Sequence, residues 1–339
     1  MSEQISINKN ENLVEITHLK KWFPVQQNFL DQILAGHVDF VRAVDDVSFT
    51  IKRGEAFGLA GESGSGKTTI GRLAIGLEKP TAGKVMFDGI DLSSLESEEL
   101  RKLRRRMQVI FQDPMASLNP RMCLGDSIAH GLKIHYPEKI AEHRDITLSI
   151  MEKVGLTPPH FFFTKYPHQI SGGQRQRVVI ARALITNPDL ILADEPIAMA
   201  DVSVRALLLD LMVQLKNELN LTYLFITHDL ATAKYICDRI GILYLGRLAE
   251  MGDLREVYGH ALHPYTQALM AAVPVPNPHE RRTQVMPAGE IPNPINPPSG
   301  CRFHPRCPVA QEICSKDEPE LRALRPGHWV ACHYAEKFL

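Results

Sequence analysis

The stretch "EAFGLAGESGSGKTTIGRL" at residues 55–73 decides the fold. Its first part is typical of a buried strand, and the part after Lys67 has helix-forming residues at helical spacing. Residues 61–68 between them match the pattern G-x-x-x-x-G-K-[ST], whose backbone N–H groups converge on a phosphate. Lys67 adds a charge for the phosphate oxygens, and Thr68 adds a hydroxyl for Mg²⁺. We name residues 61–68 the phosphate loop and predict a P-loop nucleotide-binding core.

The predicted nucleotide contacts come from this loop and from the start of the helix that follows it. They are Gly61, Glu62, Ser63, Gly64, Ser65, Gly66, Lys67, Thr68 and Thr69. A second, acidic element is expected to hold the metal. In "LILAD" (190–194), four apolar residues place a strand inside the sheet, so that Asp194 emerges at its carboxyl end. Asp194 can hold Mg²⁺, usually through water, and Glu195 can act as a general base toward the attacking water.

Strand and helix patterns alternate along the chain, with one helical interruption. Short strands surround the phosphate loop, mostly helical patterns follow, and strand–helix alternation then returns. Such alternation favours a sheet flanked by helices. We therefore predict an α/β fold with a P-loop core and a mixed sheet over 1–258, which includes an inserted helical subdomain at about 93–170. The proline-dense extension at 259–339 holds four of the six cysteines and predicts a small Cys-rich C-terminal domain.

The composition excludes several classes of function. The 38 basic residues are offset by 39 acidic ones, so no nucleic-acid partner is expected. The basic run "RKLRRRM" (101–107) is interpreted as the solvated face of a helix, with phosphate-backbone binding as the alternative. No stretch approaches the ~18 apolar residues that span a bilayer, and the polar N-terminus lacks the apolar core of a signal peptide. We expect a cytosolic chain whose six cysteines are thiols or metal ligands.

A second glycine loop lies at "ISGGQ" (170–174), again in front of a predicted helix. Its serine hydroxyl, its glycine N–H groups and the helix dipole make another anion site. Because the chain already has a phosphate loop of its own, the second loop could serve the nucleotide of a neighbour. Two copies arranged head to tail would then bury two ATP molecules, each between the phosphate loop of one copy and the second glycine loop of the other.

Together these motifs resemble the ATP-binding subunits of ABC transporters over nearly the whole chain. The phosphate loop is similar to Walker A, residues 190–194 to Walker B, and Glu195 to the catalytic glutamate. Further single residues resemble the family's signature loop (Ser171, Gly172, Gly173, Gln174), Q-loop (Gln112), switch histidine (His228), D-loop (Asp201) and A-loop aromatic (Phe23). The resemblance implies hydrolysis of ATP by a head-to-tail dimer, with Mg²⁺ held near Thr68, Gln112 and Asp194.

Three of these assignments have alternatives or departures. His228 lies 33 positions after Glu195 (228 − 195), at the end of the next apolar strand, so adjacent strands would bring it to the γ-phosphate side; the alternative is a structural histidine. Phe23 is preferred to Trp22 for base stacking, and the alternative is a core or hinge aromatic. The stretch "DEPIAMAD" (194–201) departs from the family's D-E-P-T-S-A-L-D, so a hydroxyl that could bond across the dimer is missing. Whether both ATP sites behave alike therefore stays open.

The subfamily resemblance comes from outside the ATP site. The stretches "FQDPMASLNPRM" (111–122), "HPYTQALMAAVP" (263–274) and "GEIPNPINPPSGCRFHPRCPVAQEIC" (289–314) are similar to dipeptide and oligopeptide permease ATPases. This implies a peripheral subunit at the cytoplasmic face of the membrane, paired with an identical or paralogous ATPase, two permease subunits and an extracytoplasmic solute-binding protein. Residues 115–132 would dock the permease. The alternatives are an importer of oligosaccharide, nickel or another small solute, and a soluble ABC ATPase without a transport role.

The extension contains four cysteines with irregular spacing. They are Cys301, Cys307, Cys314 and Cys332, with 5, 6 and 17 residues between them. Zinc sites favour closer pairs such as C-x₂-C, whereas four thiolates can hold a [4Fe–4S] cluster, which the subfamily resemblance also implies. Zinc, with histidines nearby, and metal-free thiols are the alternatives. Cys123 and Cys237 are expected to be ordinary thiols of the main domain.

Overall fold

The computed structural model describes residues 11–25, 38–273 and 289–339. Its strands are β1 (Asn12–Pro24), β2 (Phe40–Lys52), β3 (Ala56–Ala60), β4 (Ala82–Phe87), β5 (Ile90–Asp91), β6 (Met107–Ile110), β7 (Leu190–Asp194), β8 (Thr222–Thr227), β9 (Arg239–Tyr244), β10 (Arg247–Asp253), β11 (Arg322–Arg325) and β12 (His328–Val330). Its α-helices are α1 (Lys67–Ala74), α2 (Ser97–Leu103), α3 (Pro114–Ser117), α4 (Leu124–His135), α5 (His143–Lys153), α6 (Pro159–Phe163), α7 (Gly172–Leu184), α8 (Val202–Leu219), α9 (Leu230–Ile236), α10 (Leu254–Gly259), α11 (Pro264–Ala271) and α12 (Glu312–Lys316).

The larger of two sheets has the strand order β11-β12-β10-β9-β3-β8-β7-β6. The neighbours from β9 to β6 are parallel, whereas β10, β12 and β11 run antiparallel. The sheet is therefore mixed, as predicted. Strands β3 and β8 are buried along their whole length, which is typical of parallel strands covered by helices on both faces. The carboxyl ends of β6, β7, β8 and β3 consequently meet at one edge.

The smaller sheet is antiparallel, with the order β2-β1-β4-β5. Helix α1 packs against both sheets: Ile70 and Leu73 join one apolar cluster with Leu13 of β1 and Phe57 of β3. Each of these four side chains is at most 1% exposed. Burial of this kind stabilises by about 25 cal/mol per Å² of apolar surface removed from water. It holds the start of α1, and with it the phosphate loop, between the two sheets.

The inserted helical region contains α3, α4, α5 and α6. Helices α3, α4 and α5 pack on α7, and α6 packs on α4 and α5. Met151 of α5 and Val178 of α7 lie in the same buried cluster. Strand β6 lies within the range 93–170 that the sequence assigns to the insert, yet it pairs with β7 of the larger sheet. The helices from α3 to α6 span 114–163. Strand β6 thus connects the insert directly to the edge where the parallel strands end.

The C-terminal extension is joined to the larger sheet. Strand β12 pairs with β10, where Val330 faces Glu250. The carboxylate of Glu250 is fully buried; it accepts the backbone N–H groups of Leu262 at 2.8 Å and His263 at 3.0 Å and lies 2.7 Å from Nε2 of His328. A buried carboxylate with three partners is well satisfied. Strand pairing and this polar centre together attach the extension to the cassette.

Two surface features bear on the expectations from composition. In the basic run at 101–107, Arg101 bonds to Glu98, and Arg106 pairs with Asp88 and Asp189 at 2.5 Å, so both guanidinium groups have acidic partners within the chain. Within the described parts of the chain, no helix combines the length and the apolar composition that crossing a membrane requires.

Candidate functional site

The phosphate loop begins where β3 ends and closes onto the first turn of α1. Gly61 and Gly66 have φ values of 146° and 104°, in the region that favours glycine. A Cβ at Gly61 would lie 2.2 Å from the carbonyl oxygen of Leu243, and a Cβ at Gly66 would lie 2.1 Å from that of Ala43. Both positions therefore require glycine because backbone from other strands passes close to the loop.

Lys67 lies inside the loop, with 6% of its surface exposed. Its Nζ donates to the carbonyl oxygens of Gly61 and Glu62, both at 2.8 Å, and to Oγ of Ser65 at 3.3 Å. Burial lowers the pKa of Lys67, while the nearby carboxylates, Glu195 first among them, act in the opposite direction. The loop thus surrounds a single cation, a fit for a phosphate group.

The other predicted loop residues differ in exposure. Ser63 and Gly64 form an exposed tip, whereas Ser65 is buried and Thr69 is half-buried in the first turn of α1. A Cβ at Gly64 would meet nothing within 4 Å. The loop therefore has a buried base around Lys67 and an open side toward solvent.

The candidate metal position is formed by two side-chain oxygens, one from α1 and one from β7. Thr68 donates its hydroxyl to Oδ1 of Asp194 at 3.2 Å. Burial raises the pKa of Asp194, and the hydrogen bond from Thr68 opposes that shift. Mg²⁺ usually takes one or two protein oxygens and completes its shell with water and substrate phosphates. The pair of Thr68 and Asp194 fits that requirement.

Three polar side chains meet at the carboxyl edge of the larger sheet. Glu195 follows β7, and its Oε2 accepts from Nε2 of Gln112 at 3.0 Å while its Oε1 lies 3.0 Å from Nδ1 of His228. Gln112 comes shortly after β6, and His228 follows β8, so three adjacent parallel strands deliver the three groups. Glu195 itself has a positive φ of 47°, and its N–H bonds to the carbonyl of Ile226. The structure thus holds the carboxylate that was predicted to be the general base between Gln112 and His228.

The signature loop, residues 171–174, is closed on itself and exposed. Oγ of Ser171 accepts from the backbone N–H of Gln174 at 3.3 Å, and Oε1 of Gln174 accepts from the N–H of Ser171 at 2.9 Å. This reciprocal pair is a capping box at the start of α7. Ser171 and Gly172 are exposed, and a Cβ at Gly172 would meet nothing within 4 Å. Gly173 faces Val204 of α8.

The residues that depart from the family pattern at 194–201 have different surroundings in the structure. Ile197 is 5% exposed and belongs to the main core, whereas Met199 is 65% exposed. The side chain of Arg205 donates to the carbonyl oxygens of Ala200 at 2.8 Å and Ala198 at 3.3 Å. Arg205 therefore holds this loop, and sequence reasoning missed it. Asp201 is exposed at the start of α8.

The two candidate aromatics near the N-terminus have different surroundings. Nε1 of Trp22 donates to Oδ1 of Asp45 at 3.2 Å, and the guanidinium of Arg42 lies 5.0 Å from a ring centroid of Trp22. Phe23 is half-buried, with Nζ of Lys21 lying 4.9 Å from its centroid. Because Trp22 is tied into the cassette by its indole N–H, Phe23 remains the better candidate for base stacking.

The four cysteines of the extension converge. Cys301, Cys307, Cys314 and Cys332 are all free thiols and all line one cavity of about 10 Å³. The N–H of Cys301 bonds to the carbonyl oxygen of Cys314 at 2.8 Å. Burial raises the pKa of Cys301 to about 12 and that of Cys332 to about 11. Among residues 11–25, 38–273 and 289–339, no group of three or more His, Cys, Asp or Glu side chains is arranged to hold a metal ion.

Cys123 and Cys237 lie in the main domain. Cys123 caps α4, and Cys237 is buried in the core.

Sequence reasoning also missed two partners of Glu62, namely Tyr265 and Arg306, which contact it from the extension. Both residues lie in the stretches 263–274 and 289–314 that carry the subfamily resemblance, but no sequence motif indicates that they contact the phosphate loop.

Family models match two parts of the chain. A model described as ABC transporter matches residues 44–198, and one described as oligopeptide/dipeptide transporter, C-terminal region, matches residues 249–314. The oligopeptide transport ATP-binding protein AppF of Bacillus subtilis (strain 168) is 47% identical over 326 residues, which cover 95% of this chain and 97% of AppF. A putative peptide import ATP-binding protein of Brucella ovis is 50% identical over 292 residues, covering 86% of this chain and 92% of the relative.

Solved structures agree with the sequence relatives. The dimeric structure of a post-hydrolysis state of the ATP-binding cassette MJ0796, bound to ADP and Pi, has a TM-score of 0.62 and 31% identity, covering 71% of this chain and 99% of that one. The structure of CbiO1 from Clostridium perfringens, part of the ABC transporter complex CbiONQ, has a TM-score of 0.62 and 26% identity, covering 74% and 92% respectively.

Proposed function

The chain belongs to the ATP-binding subunits of ABC transporters, and we propose that it drives the import of di- and oligopeptides through membrane permease subunits. As an ABC ATPase it hydrolyses ATP. Peptide cargo is supported by the match of residues 249–314 to the oligopeptide/dipeptide transporter model and by relatives named for peptide import. The working location in this proposal is the cytoplasmic face of the membrane.

The position of Glu195 carries the mechanistic part of the proposal. Its carboxylate, held between Gln112 and His228, takes a proton from the attacking water as general base. His228 keeps the carboxylate aimed and Gln112 fixes its other oxygen. Thr68 and Asp194 would hold Mg²⁺, which neutralises charge on the phosphates. Lys67 binds the phosphate oxygens from inside the loop.

A second ATPase chain completes the site in this proposal. The phosphate loop is open on one side, and the signature loop of the same chain is exposed with its polar groups bonded only within its own helix turn. A head-to-tail dimer, of two copies or of this chain with a paralogue, would place the signature loop of one chain over the nucleotide of the other. The similar cassette MJ0796, whose structure bound to ADP and Pi is dimeric, supports the formation of a dimer.

The dimer is tested with Glu195→Gln, which removes the base and should slow hydrolysis by about 10²- to 10⁴-fold. The variant should accumulate as a dimer in saturating Mg-ATP, measured by size-exclusion chromatography with light scattering. A Lys67→Ala/Glu195→Gln double variant is the matched control and should stay monomeric. If Glu195→Gln remains monomeric even with companion ATPases and permease supplied, the composite site is refuted.

The surface proposed to receive the permease is the start of the helical insert, residues 115–132. Met115 is 48% exposed in α3, next to the segment that carries Gln112, and Arg121 is exposed. Arg121→Glu should lower transport by about tenfold or more, because reversing a charge in an interface disturbs its electrostatic complementarity, while basal ATP hydrolysis stays unchanged. Loss of both hydrolysis and folding would count against this surface.

Cargo and partners are tested together. Pull-down from detergent-solubilised membranes should recover two permease subunits and lead to a solute-binding protein, whose ligands are then screened. Peptide binding is the expected result. An oligosaccharide or a nickel complex as the ligand would replace the peptide assignment, and recovery without membrane subunits would favour a soluble ABC ATPase.

The four extension cysteines hold a [4Fe–4S] cluster in this proposal. The donor set fits, because four free thiols line a single cavity. The described residues present no group of three or more His, Cys, Asp or Glu side chains arranged to hold a metal ion, so a zinc ion and a cluster would both require the thiols to move. The cavity volume of about 10 Å³ is near that of one water, so the thiol side chains must rotate to admit a cluster. Iron and sulfide analysis of anaerobically purified protein decides; zinc, or no metal, would overturn the assignment.

A further inference from the structure

The C-terminal extension makes direct contact with the phosphate loop. The guanidinium of Arg306 forms a two-pronged ion pair with the carboxylate of Glu62, with NH1–Oε2 and NH2–Oε1 distances of 2.7 and 3.0 Å. The backbone N–H of Glu62 donates to the hydroxyl of Tyr265 at 2.9 Å. Both the side chain and the backbone of one phosphate-loop residue are therefore held by residues from beyond position 259.

This contact is largely shielded from solvent. The side chain of Arg306 is 7% exposed and that of Glu62 is 22% exposed. The guanidinium also lies 5.8 Å from the ring centroid of Tyr244 and 5.9 Å from that of Phe303. The rings of Tyr244, Tyr265 and Phe303 pack on one another with centroid distances of 4.7 to 5.3 Å. A two-pronged arginine–carboxylate bond fixes geometry as well as charge, and its strength increases away from water.

Glu62 is linked to the centre of the ATP site by its carbonyl group. That oxygen accepts from Nζ of Lys67 at 2.8 Å. The backbone of Glu62 is thus held by Lys67 at its carbonyl oxygen and by Tyr265 at its N–H, and its side chain is held by Arg306. A loop whose N–H groups must converge on a phosphate gains affinity when its conformation is set before the ligand arrives.

The same segment of the extension reaches a second wall of the cassette. Arg302 pairs with Asp45 of β2 and donates to the carbonyl of Leu245. Asp45 also accepts from the indole of Trp22, the neighbour of Phe23. Burial opposes ionisation of Asp45, but Arg302 and Arg247 outweigh it, and the pKa of Asp45 is lowered. Segment 301–307 is therefore anchored near both the phosphate loop and the aromatic pair at the N-terminus.

We propose that Arg306 and Tyr265 are positioning residues of the ATP site, which hold Glu62 so that the phosphate loop is set for ATP by the C-terminal extension. The proposal rests on the phosphate loop being the ATP site and is independent of the cargo and of the cluster. It predicts that the extension controls the affinity for ATP, in addition to any role in stability.

The test measures binding of fluorescent mant-ATP to the full chain, together with the melting temperature of each variant. Arg306→Ala should raise the Kd by about five- to tenfold, within the usual range of coupling between two sites. Tyr265→Phe, which removes one hydroxyl, should raise it by about threefold. Arg306→Lys, which keeps the charge and loses the two-pronged geometry, should lie between wild type and Arg306→Ala. Arg322→Ala is the matched control, because it breaks an exposed ion pair with Glu336 within the extension, and it should leave the Kd unchanged.

A double-mutant cycle with Glu62→Gln separates positioning from general stability. If Arg306 acts through Glu62, Arg306→Ala should add little to the Kd of Glu62→Gln. Melting temperatures that fall with no change in Kd, in both Arg306→Ala and Tyr265→Phe, would overturn the proposal and leave only a structural contact. If Arg306→Ala fails to fold, Tyr265→Phe decides alone. Absence of ATP binding by wild type would overturn the ATP-site assignment and this proposal together.

Discussion

The phosphate loop and the signature loop are both glycine-containing loops in front of a helix, but they leave the helix start in different states. In the phosphate loop, Gly66 precedes α1 and no side chain caps the helix. In the signature loop, Ser171 and Gln174 form a capping box at the start of α7. Lys67 is buried in the first loop, whereas Ser171 is exposed in the second.

The difference shows why similar local sequences have different roles. An uncapped helix start leaves backbone N–H groups without intrahelical partners, and beside Lys67 an anion satisfies them within a single chain. At the start of α7, the capping box supplies acceptors for the backbone N–H groups of Ser171 and Gln174. The exposed side of the signature loop is free to face a second chain. In the proposed dimer, the first loop would make most of a site and the second would make the remainder of a neighbour's site.

The largest expected effect comes from Lys67→Ala. ATP affinity of the isolated chain should fall by about a hundredfold, because a buried charged donor to the phosphates is lost. Lys153→Ala, on the exposed end of α5, is the matched control and should bind like wild type. Binding of mant-ATP measures both, and equal affinities would show that the phosphate loop is not the site.

The same glycine-to-alanine change should act in opposite directions in the two loops. Gly66→Ala should destabilise the nucleotide-free protein by roughly 2–3 kcal/mol, because the backbone is left-handed and the new Cβ meets the carbonyl of Ala43. Gly172→Ala has open space and a helical backbone, so its stability should equal or exceed that of wild type by up to about 1 kcal/mol. Urea denaturation measures both; equal losses would contradict the comparison.

A smaller effect is expected from the cap itself. Ser171→Ala should cost about 1 kcal/mol of stability, because the N–H of Gln174 loses its acceptor. The affinity of the isolated chain for ATP should not change. Ser203→Ala, exposed in the first turn of α8, is the control and should stay within about 0.5 kcal/mol of wild type. A matching loss in the control would mean that the cap contributes nothing specific.

The smallest effect is expected in how the melting temperature of the nucleotide-free protein depends on pH. Burial raises the pKa of Asp194 above its ordinary value of 3.8. The folded state therefore favours the protonated carboxyl. The protonated side chain of Asp194 contributes fully to the free energy of unfolding below pH 3.8, and this contribution is lost as the pH rises through the pKa that Asp194 has in the folded state. Asp194→Asn should melt above wild type at neutral pH, and the difference should shrink toward pH 4, while stabilisation by Mg-ATP disappears. Melting curves across pH test this, and a difference that grows on acidification would contradict it.

Much of the ATP site could be predicted because its chemistry is local in sequence. The glycines that the phosphate loop requires, Lys67 and Thr68 lie within eight consecutive residues. The approach of His228 to Glu195 needed one further inference, that adjacent parallel strands end at one edge, and the structure has β7 and β8 as neighbours. The approach of Gln112 depends on β6, a strand that the sequence did not predict. The roles of these residues in catalysis stay predictions until the variants are measured.

Other features could not be predicted because no motif indicates them and they depend on how the elements are placed in three dimensions. Arg205 bonds to carbonyl groups of its own loop, which depends on how α8 starts. Strand β6 joins the sheet from within a mostly helical region. The convergence of four cysteines in one cavity depends on how several short elements fold over one another.

The sequence by itself determined the chemistry of the nucleotide site, because a phosphate loop acts through its own backbone and a few side chains at fixed spacing. Only the tertiary structure decided that the C-terminal extension holds that loop. Arg306 and Glu62 are 244 residues apart, and the segment that carries Arg306 is also joined to the cassette by the pairing of Arg302 with Asp45. A side-chain bond over such a separation depends on the position of every element between its ends.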